Sequence, residues 1–126
     1  MEKKIISTDN APAAIGPYSQ AVRVGEMIYT SGMIPVVPAT GEIAEGVEAQ
    51  ARQVLTNVRS LLEASGSGMD RVVKTTVFIK NMDDFARINA VYAEFFEEGS
   101  YPARSCVEVA RLPKDVLMEM EAIALV

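Results

Sequence analysis

Arg104, Cys106 and Glu108 stand at alternate positions within Tyr101 to Asp115, and Glu119 and Glu121 alternate in the stretch that follows. A guanidinium can hold an anion, and a carboxylate can orient or deprotonate water. A thiol beside an arginine resembles a nucleophile, but the chain contains no histidine to act as its base. With one cysteine and no histidine, neither the usual zinc ligand sets nor a His-based triad can be assembled. No glycine pattern of phosphate-loop or dinucleotide type occurs either. Chemistry in this chain must come from Arg, Glu, Asp, Tyr, Ser, backbone groups and water, with no metal and no cofactor expected. On periodicity alone the same residues also fit a half-exposed strand, with Arg104 in a surface ion pair.

The 126 residues suit one domain over 1–126, with 49% hydrophobic and 23% charged residues, the balance of a globular chain. The net charge of −5 and the scattered basic residues argue against a nucleic-acid partner. No window approaches the ~20 apolar residues of a membrane span, so no membrane partner is expected. The stretch after Met1 to Ile6 lacks an apolar run of signal-peptide length, and a lone cysteine forms no internal disulfide. These features predict a cytoplasmic protein.

Lys3 to Ser7, Ser19 to Val24 and Met27 to Ile34 read as strands, the last two joined at Gly25-Glu26. Gly16-Pro17 forces a turn that delivers Tyr18, and Gly32 inside the third strand marks a bulge or a place where another backbone or a ligand comes close. Val47 to about Ser65 carries Ala51, Val54, Leu55, Val58, Leu61 and Leu62 at helical spacing, with Gly66 as its stop. Arg71 to Ile79 reads as a central strand. Asn81 or Asp83 can cap a second helix through Phe96, with Asn89 on the flank of its apolar arc beside Phe85 and Phe96. The order β-β-β-α-β-α-β-β predicts an α+β fold, a mixed sheet with two helices packed on one face.

An even-length turn at Pro113-Lys114 would join the last two strands as a hairpin. In that register Arg104, Cys106 and Glu108 share a face with Glu119, Glu121 and Ile123, and the Arg104 strand turns an apolar face the other way. Glu119 then lies opposite Glu108, roughly 13 Å from Arg104. The two groups either face a common cleft or are completed by a second subunit. A sheet face without helices, carrying Leu117, Ile123 and Leu125, predicts a homo-oligomer.

Gly16-Pro17-Tyr18-Ser19-Gln20-Ala21, Ser31-Gly32-Met33-Ile34-Pro35, Lys74 to Phe78, Pro102 to Cys106, Ala110 to Pro113 and Glu119-Met120-Glu121-Ala122 occur in one order and spacing. Together they resemble the Rid family of reactive intermediate deaminases, also called the YjgF or enamine/imine deaminase family, from about Ile5 to the last residue. The resemblance implies a chorismate-mutase-like fold and a homotrimer whose sheets line a barrel, with active sites between subunits. It further implies hydrolysis of 2-imino acids such as 2-iminobutanoate and 2-iminopropanoate to 2-keto acids and ammonia. By the same resemblance Arg104 binds the substrate carboxylate, Glu119 lies near the attacking water, and Tyr18, Ser31, Gly32, Asn89 and the Cys106 backbone line the cleft. Met33, Met118 and Met120 depart from the usual residues of the family.

Several readings stay open at this point. Glu121 shares Glu119's face and is either its structural partner or the acting group. Tyr18 either fixes its own turn or lines the cleft, and Ser31 and Asn89 divide in the same way between structure and ligand. A non-catalytic trimeric module that binds small carboxylates, or acts as a chaperone, is the alternative function. Nuclease activity is disfavoured by the acidic charge and the missing histidine.

Overall fold

A computed structural model describes residues 1–126. One six-stranded sheet holds β1 (Lys3–Ile6), β2 (Ala21–Val24), β3 (Met27–Thr30), β4 (Val72–Ile79), β5 (Ala103–Glu108) and β6 (Met118–Leu125), in the spatial order β1-β2-β3-β6-β4-β5. The helices α1 (Val47–Ala64) and α2 (Phe85–Ala93) cover one face. The α+β architecture with both helices on one side is as the element order predicted.

Local chemistry explains the boundaries. The helix α1 buries Ala51, Val54, Leu55, Val58, Leu61 and Leu62 against the sheet. It stops in a Schellman motif: Gly66 at φ 83° lets its own N–H reach the Glu63 carbonyl and the Ser67 N–H reach Leu62. Asn81 caps the turn before α2 by accepting the Asp83 amide. The helix α2 is shorter than its apolar arc suggested. After Ala93 the hydrogen bonds tighten to the 3₁₀ pattern, Glu94 to Val91 and Phe95 to Tyr92.

Between β3 and β6 the ladder runs to Tyr29↔Ile123 and resumes at an isolated bridge, Met33↔Met120. Three residues, Thr30 to Gly32, oppose two, Glu121 and Ala122, so β3 bulges there and ends short of the expected Ile34. The Thr30 hydroxyl accepts the Ala122 amide that the broken ladder leaves over.

The predicted hairpin between β5 and β6 does not form. The strand β4 lies between them, parallel to β5 and antiparallel to β6. Asp115 does bond back to the Leu112 carbonyl, but Lys114 and Asp115 both take φ 55°, and the segment crosses over the end of β4 instead of reversing beside β5. The parity argument from the turn therefore fails, because it holds only for strands that pair directly.

The faces follow from the true register. Thr75, Val77 and Ile79 stand beside Arg104, Cys106 and Glu108 on one side and Ala122, Met120 and Met118 on the other, all toward the helices. Thr76 and Phe78 stand beside Ser105 and Val107, and beside Glu121 and Glu119, on the face without helices. The Ser105 and Val107 side is no sealed apolar face, since Val107 is 44% exposed. Tyr29 (42% exposed) and the half-buried Phe78, Ile123 and Leu125 also occupy that open face, whereas Leu117 packs on the main core.

Candidate active site

Arg104 projects from β5 toward α2, where the sequence of the helix has prepared a seat. Tyr92 lies three residues after Asn89, so both reach the same side. The Arg104 guanidinium stacks over the Tyr92 ring at 4.7 Å and lies 5.5 Å from the Phe85 ring centroid, and its Nη1 donates to Asn89 Oδ1 at 2.7 Å. Tyr92 is held from beneath by Thr75, hydroxyl to hydroxyl at 2.7 Å in a buried pair. Burial pushes the Tyr92 phenol above its ordinary range, opposed by that hydrogen bond and by the Arg104 charge. Arg104 takes part in none of the three ion pairs of the chain. Its charge is oriented by neutral groups and left uncompensated, which suits a carboxylate ligand.

A recess of about 460 Å³ opens there, bounded by Asn89, Tyr92, Tyr101, Pro102 and Arg104. Cys106, two residues on, is half-buried, and burial raises its thiol pKa while Arg104 pulls the other way to a smaller extent. That is an environment for an inert thiol. Because β5 is an edge strand, part of its backbone is free of sheet pairing and can serve as donor or acceptor.

Glu119 lies on the opposite face. It lines a cleft of about 360 Å³ with Tyr18, Ser31, Gly32, Ile34, Pro113 and Glu121. Burial raises the Glu119 carboxyl pKa, and the charge of Glu121 raises it further. The Tyr18 hydroxyl accepts the Ile15 amide at 3.1 Å, so the residue fixes its turn and still presents its ring, 45% exposed, to the cleft. The Ser31 hydroxyl donates to the Ser19 carbonyl at 2.6 Å, a strand-to-loop tie. Gly32 lies within the bulge, and a Cβ built on it would run into the Glu119 side chain.

The sequence-derived residues thus divide into two groups. Arg104, Asn89 and Cys106 gather on the helix side of β5, and Tyr18, Ser31, Gly32 and Glu119 gather on the open face; the expectation that Arg104 and Glu119 share a face is overturned. Sequence reading also missed Tyr92 as the seat of Arg104, although the Asn89–Tyr92 spacing carried the signal, and it read Phe85 as core with at most an edge near the cleft. It missed Gln20, which is buried and ties the loop before Tyr18 through the Thr8, Ala11 and Pro12 carbonyls and the Thr8 amide. No three His, Cys, Asp or Glu side chains converge as a metal-holding group. No helix is long and apolar enough to cross a membrane.

Comparisons with known proteins place these features. The chain is 61% identical over 123 residues, 96% of each protein, to the 2-iminobutanoate/2-iminopropanoate deaminase of Salmonella typhimurium. The crystal structure of the YjgF gene product from E. coli superposes with a TM-score of 0.93 at 60% identity, covering 97% of this chain and 98% of that one. E. coli TdcF, crystallised with bound serine, superposes with a TM-score of 0.94 at 55% identity and 98% coverage of both chains. A family model described as endoribonuclease L-PSP matches residues 8–126. With its sheet, its helices and nearly its whole length shared with these relatives, the chain belongs to the endoribonuclease L-PSP family, the Rid or YjgF family its motifs resemble.

Proposed function

We propose that this protein is a deaminase that hydrolyses 2-imino acids, 2-iminobutanoate and 2-iminopropanoate among them, to 2-oxo acids and ammonia at sites formed between copies of the chain. The observation that carries the reading is Arg104: a guanidinium seated on two aromatic rings, with one N–H on Asn89 and no acidic partner. The 61% identity to a deaminase of these substrates supports the reaction class. A relative with bound serine shows that a small amino acid can be held on this fold.

In this reading Arg104 clamps the substrate carboxylate in a two-bond fork and the imine carbon is presented to a water on Glu119. The water oxygen bonds to carbon while the C=N π pair moves to nitrogen, and Glu119 takes the water proton. The proton on Glu119 passes to nitrogen to give the carbinolamine, which collapses as its hydroxyl proton follows to nitrogen through Glu119: the O–H pair forms C=O, the C–N bond breaks, and ammonia leaves with a 2-oxo acid. General-base help of this kind is worth typically 10²–10⁴-fold. Glu119 is assigned the role because it lies in the cleft against Gly32, and burial raises its carboxyl pKa, which suits it to giving the proton back. Since Arg104 and Glu119 occupy opposite faces, each clamp needs the glutamate of a neighbour. A homotrimer whose open faces line a central barrel supplies it, in the cytoplasm where a lone thiol stays reduced.

The test generates 2-iminobutanoate in situ with a threonine dehydratase and follows its decay. Wild type is expected to accelerate hydrolysis, and Arg104→Ala to abolish the acceleration with the oligomer intact. Unchanged turnover in Arg104→Ala would sink the assignment. Binding of 2-oxobutanoate by a wild type without turnover would instead establish a small-carboxylate-binding module.

A further inference from the structure

We infer that Gly32 is a positioning residue for Glu119, its missing side chain leaving the shelf on which the catalytic carboxylate lies. The inference rests on the reading of Glu119 as the base and adds to it a reason for the carboxylate's location.

Two observations tie the glycine at this position to Glu119. Gly25, Gly41, Gly46, Gly66 and Gly99 all adopt positive φ, where a side chain is strained; Gly32 does not, so its backbone conformation would accept alanine. A Cβ built on Gly32 would overlap Glu119 Oε1 outright and lie 2.7 Å from its Cδ and 2.9 Å from its Cγ. All three nearest atoms belong to that one side chain.

No ion pair or side-chain hydrogen bond of the chain holds the Glu119 carboxylate. Shape places it: the bulge of β3 tips Gly32 toward the open face, and the paired Met33–Met120 amides and carbonyls, at 2.8 and 3.2 Å, fix the glycine beside the glutamate. A base left free of protein hydrogen bonds keeps its lone pairs for water. It must then be located by sterics, and a glycine floor does this without a competing donor.

Because the clash falls on the free end of a flexible side chain, Gly32→Ala should leave the sheet in place and swing the carboxylate away. A displacement of about 1 Å can cost on the order of 10²-fold in turnover. The experiment is a cycle of Gly32→Ala, Glu119→Ala and the double variant in the in-situ 2-iminobutanoate assay, with melting temperature and 2-oxobutanoate affinity measured on each. Gly32→Ala alone is expected to lower kcat roughly ten- to hundredfold with 2-oxobutanoate affinity held within about twofold. In the Glu119→Ala background the same change should cost less than about twofold, because no carboxylate remains to displace. Any drop in melting temperature caused by Gly32→Ala should likewise vanish in that background.

Equal losses in the two backgrounds, in rate or in melting temperature, would overturn the inference and give the glycine a role independent of Glu119. Full activity of Gly32→Ala beside a crippled Glu119→Ala would overturn it too while leaving the base assignment standing. Wild-type turnover in Glu119→Ala would instead remove the base assignment, and the positioning role with it.

Discussion

Arg104 and Glu119 stand on opposite faces of the same sheet. Thr75 of β4 is the register partner of Arg104, and Phe78 of β4 is the partner of Glu119. Residues three apart on a strand point to opposite sides. Arg104 therefore meets α2, and Glu119 meets whatever covers the open face. No rotamer of either residue brings them together through a sheet.

That relationship predicts complementation. Arg104→Ala is expected to be inactive alone, and Glu119→Ala to retain only a residual rate, on the order of 10²–10⁴-fold below wild type. Unfolded together in equal amounts and refolded, they should regain about a quarter of wild-type turnover, since each site needs one intact arginine and one intact glutamate from adjacent copies and each condition is met half the time. Assay of the mixed and refolded protein checks this. A mixture no more active than its parents would place both groups in the same chain's site.

The seat of Arg104 separates two effects. Asn89→Ala removes the one side-chain acceptor that orients the guanidinium, leaving it on its rings, and is expected to raise KM about tenfold, or ~1.4 kcal/mol. Tyr92→Phe keeps the ring beneath Arg104 but strips the Thr75 hydroxyl of its buried partner, which should cost about 1–3 kcal/mol of stability with KM nearly unchanged. Steady-state kinetics and denaturant unfolding of the pair read the contrast. A KM change in Tyr92→Phe equal to that in Asn89→Ala would show that the phenol, not the ring, matters to the arginine.

Much of this arrangement was legible in the sequence because local signals and tertiary structure agree. The stripe from Val47 to Leu62 and the glycine after it define α1, and the β-branched run Val72 to Ile79 defines β4, which is an interior strand but lies one in from the edge and not at the centre of the sheet. The pairing of β5 was not legible. Its neighbour is set by where the chain passes after Glu108, and the segment Val109 to Leu117 carries no periodicity that distinguishes a hairpin from a crossing over β4. One wrong pairing moved three side chains to the wrong face, since strand geometry has a period of two. At Gly32 the expected bulge is present, but the group of the chain that comes close is the Glu119 side chain, where the glycine suggested another backbone or a ligand, and that approach depends on the same unseen register.

The open face should fail as an interface when charged. Val107 and Tyr29 are exposed in the single chain, and Ile123 is half-buried, so an aspartate at Val107 or Ile123 burdens the fold little. Set against a neighbour, the same charge would be buried without a partner, a cost of several kcal/mol. Val107→Asp and Ile123→Asp are expected to sediment as folded monomers and to lose turnover although Arg104, Asn89 and Tyr92 are untouched. An active monomer would refute the intersubunit site.

The pH profile tests the electrostatics of the same site. A base must be ionised to act, so the rate should rise with pH through the Glu119 pKa. Burial first, and Glu121 second, disfavour the ionised form; the acid limb should lie above the usual carboxylate range near 4.3. Glu121→Gln removes one of the two causes and should move the limb to lower pH, though not to the ordinary value, because burial remains. Lys74, the cation facing this side from β4, donates to Ser105 and forms no ion pair with either glutamate. In the proposed intersubunit site the neighbour's Arg104 would favour ionised Glu119 until a substrate carboxylate neutralises it. Since kcat/KM reports the free enzyme and kcat the complex, the acid limb of kcat should stand at higher pH than that of kcat/KM. Coincident limbs, or a limb that ignores Glu121→Gln, would mean that neither Arg104 nor Glu121 lies within electrostatic reach of the group that titrates.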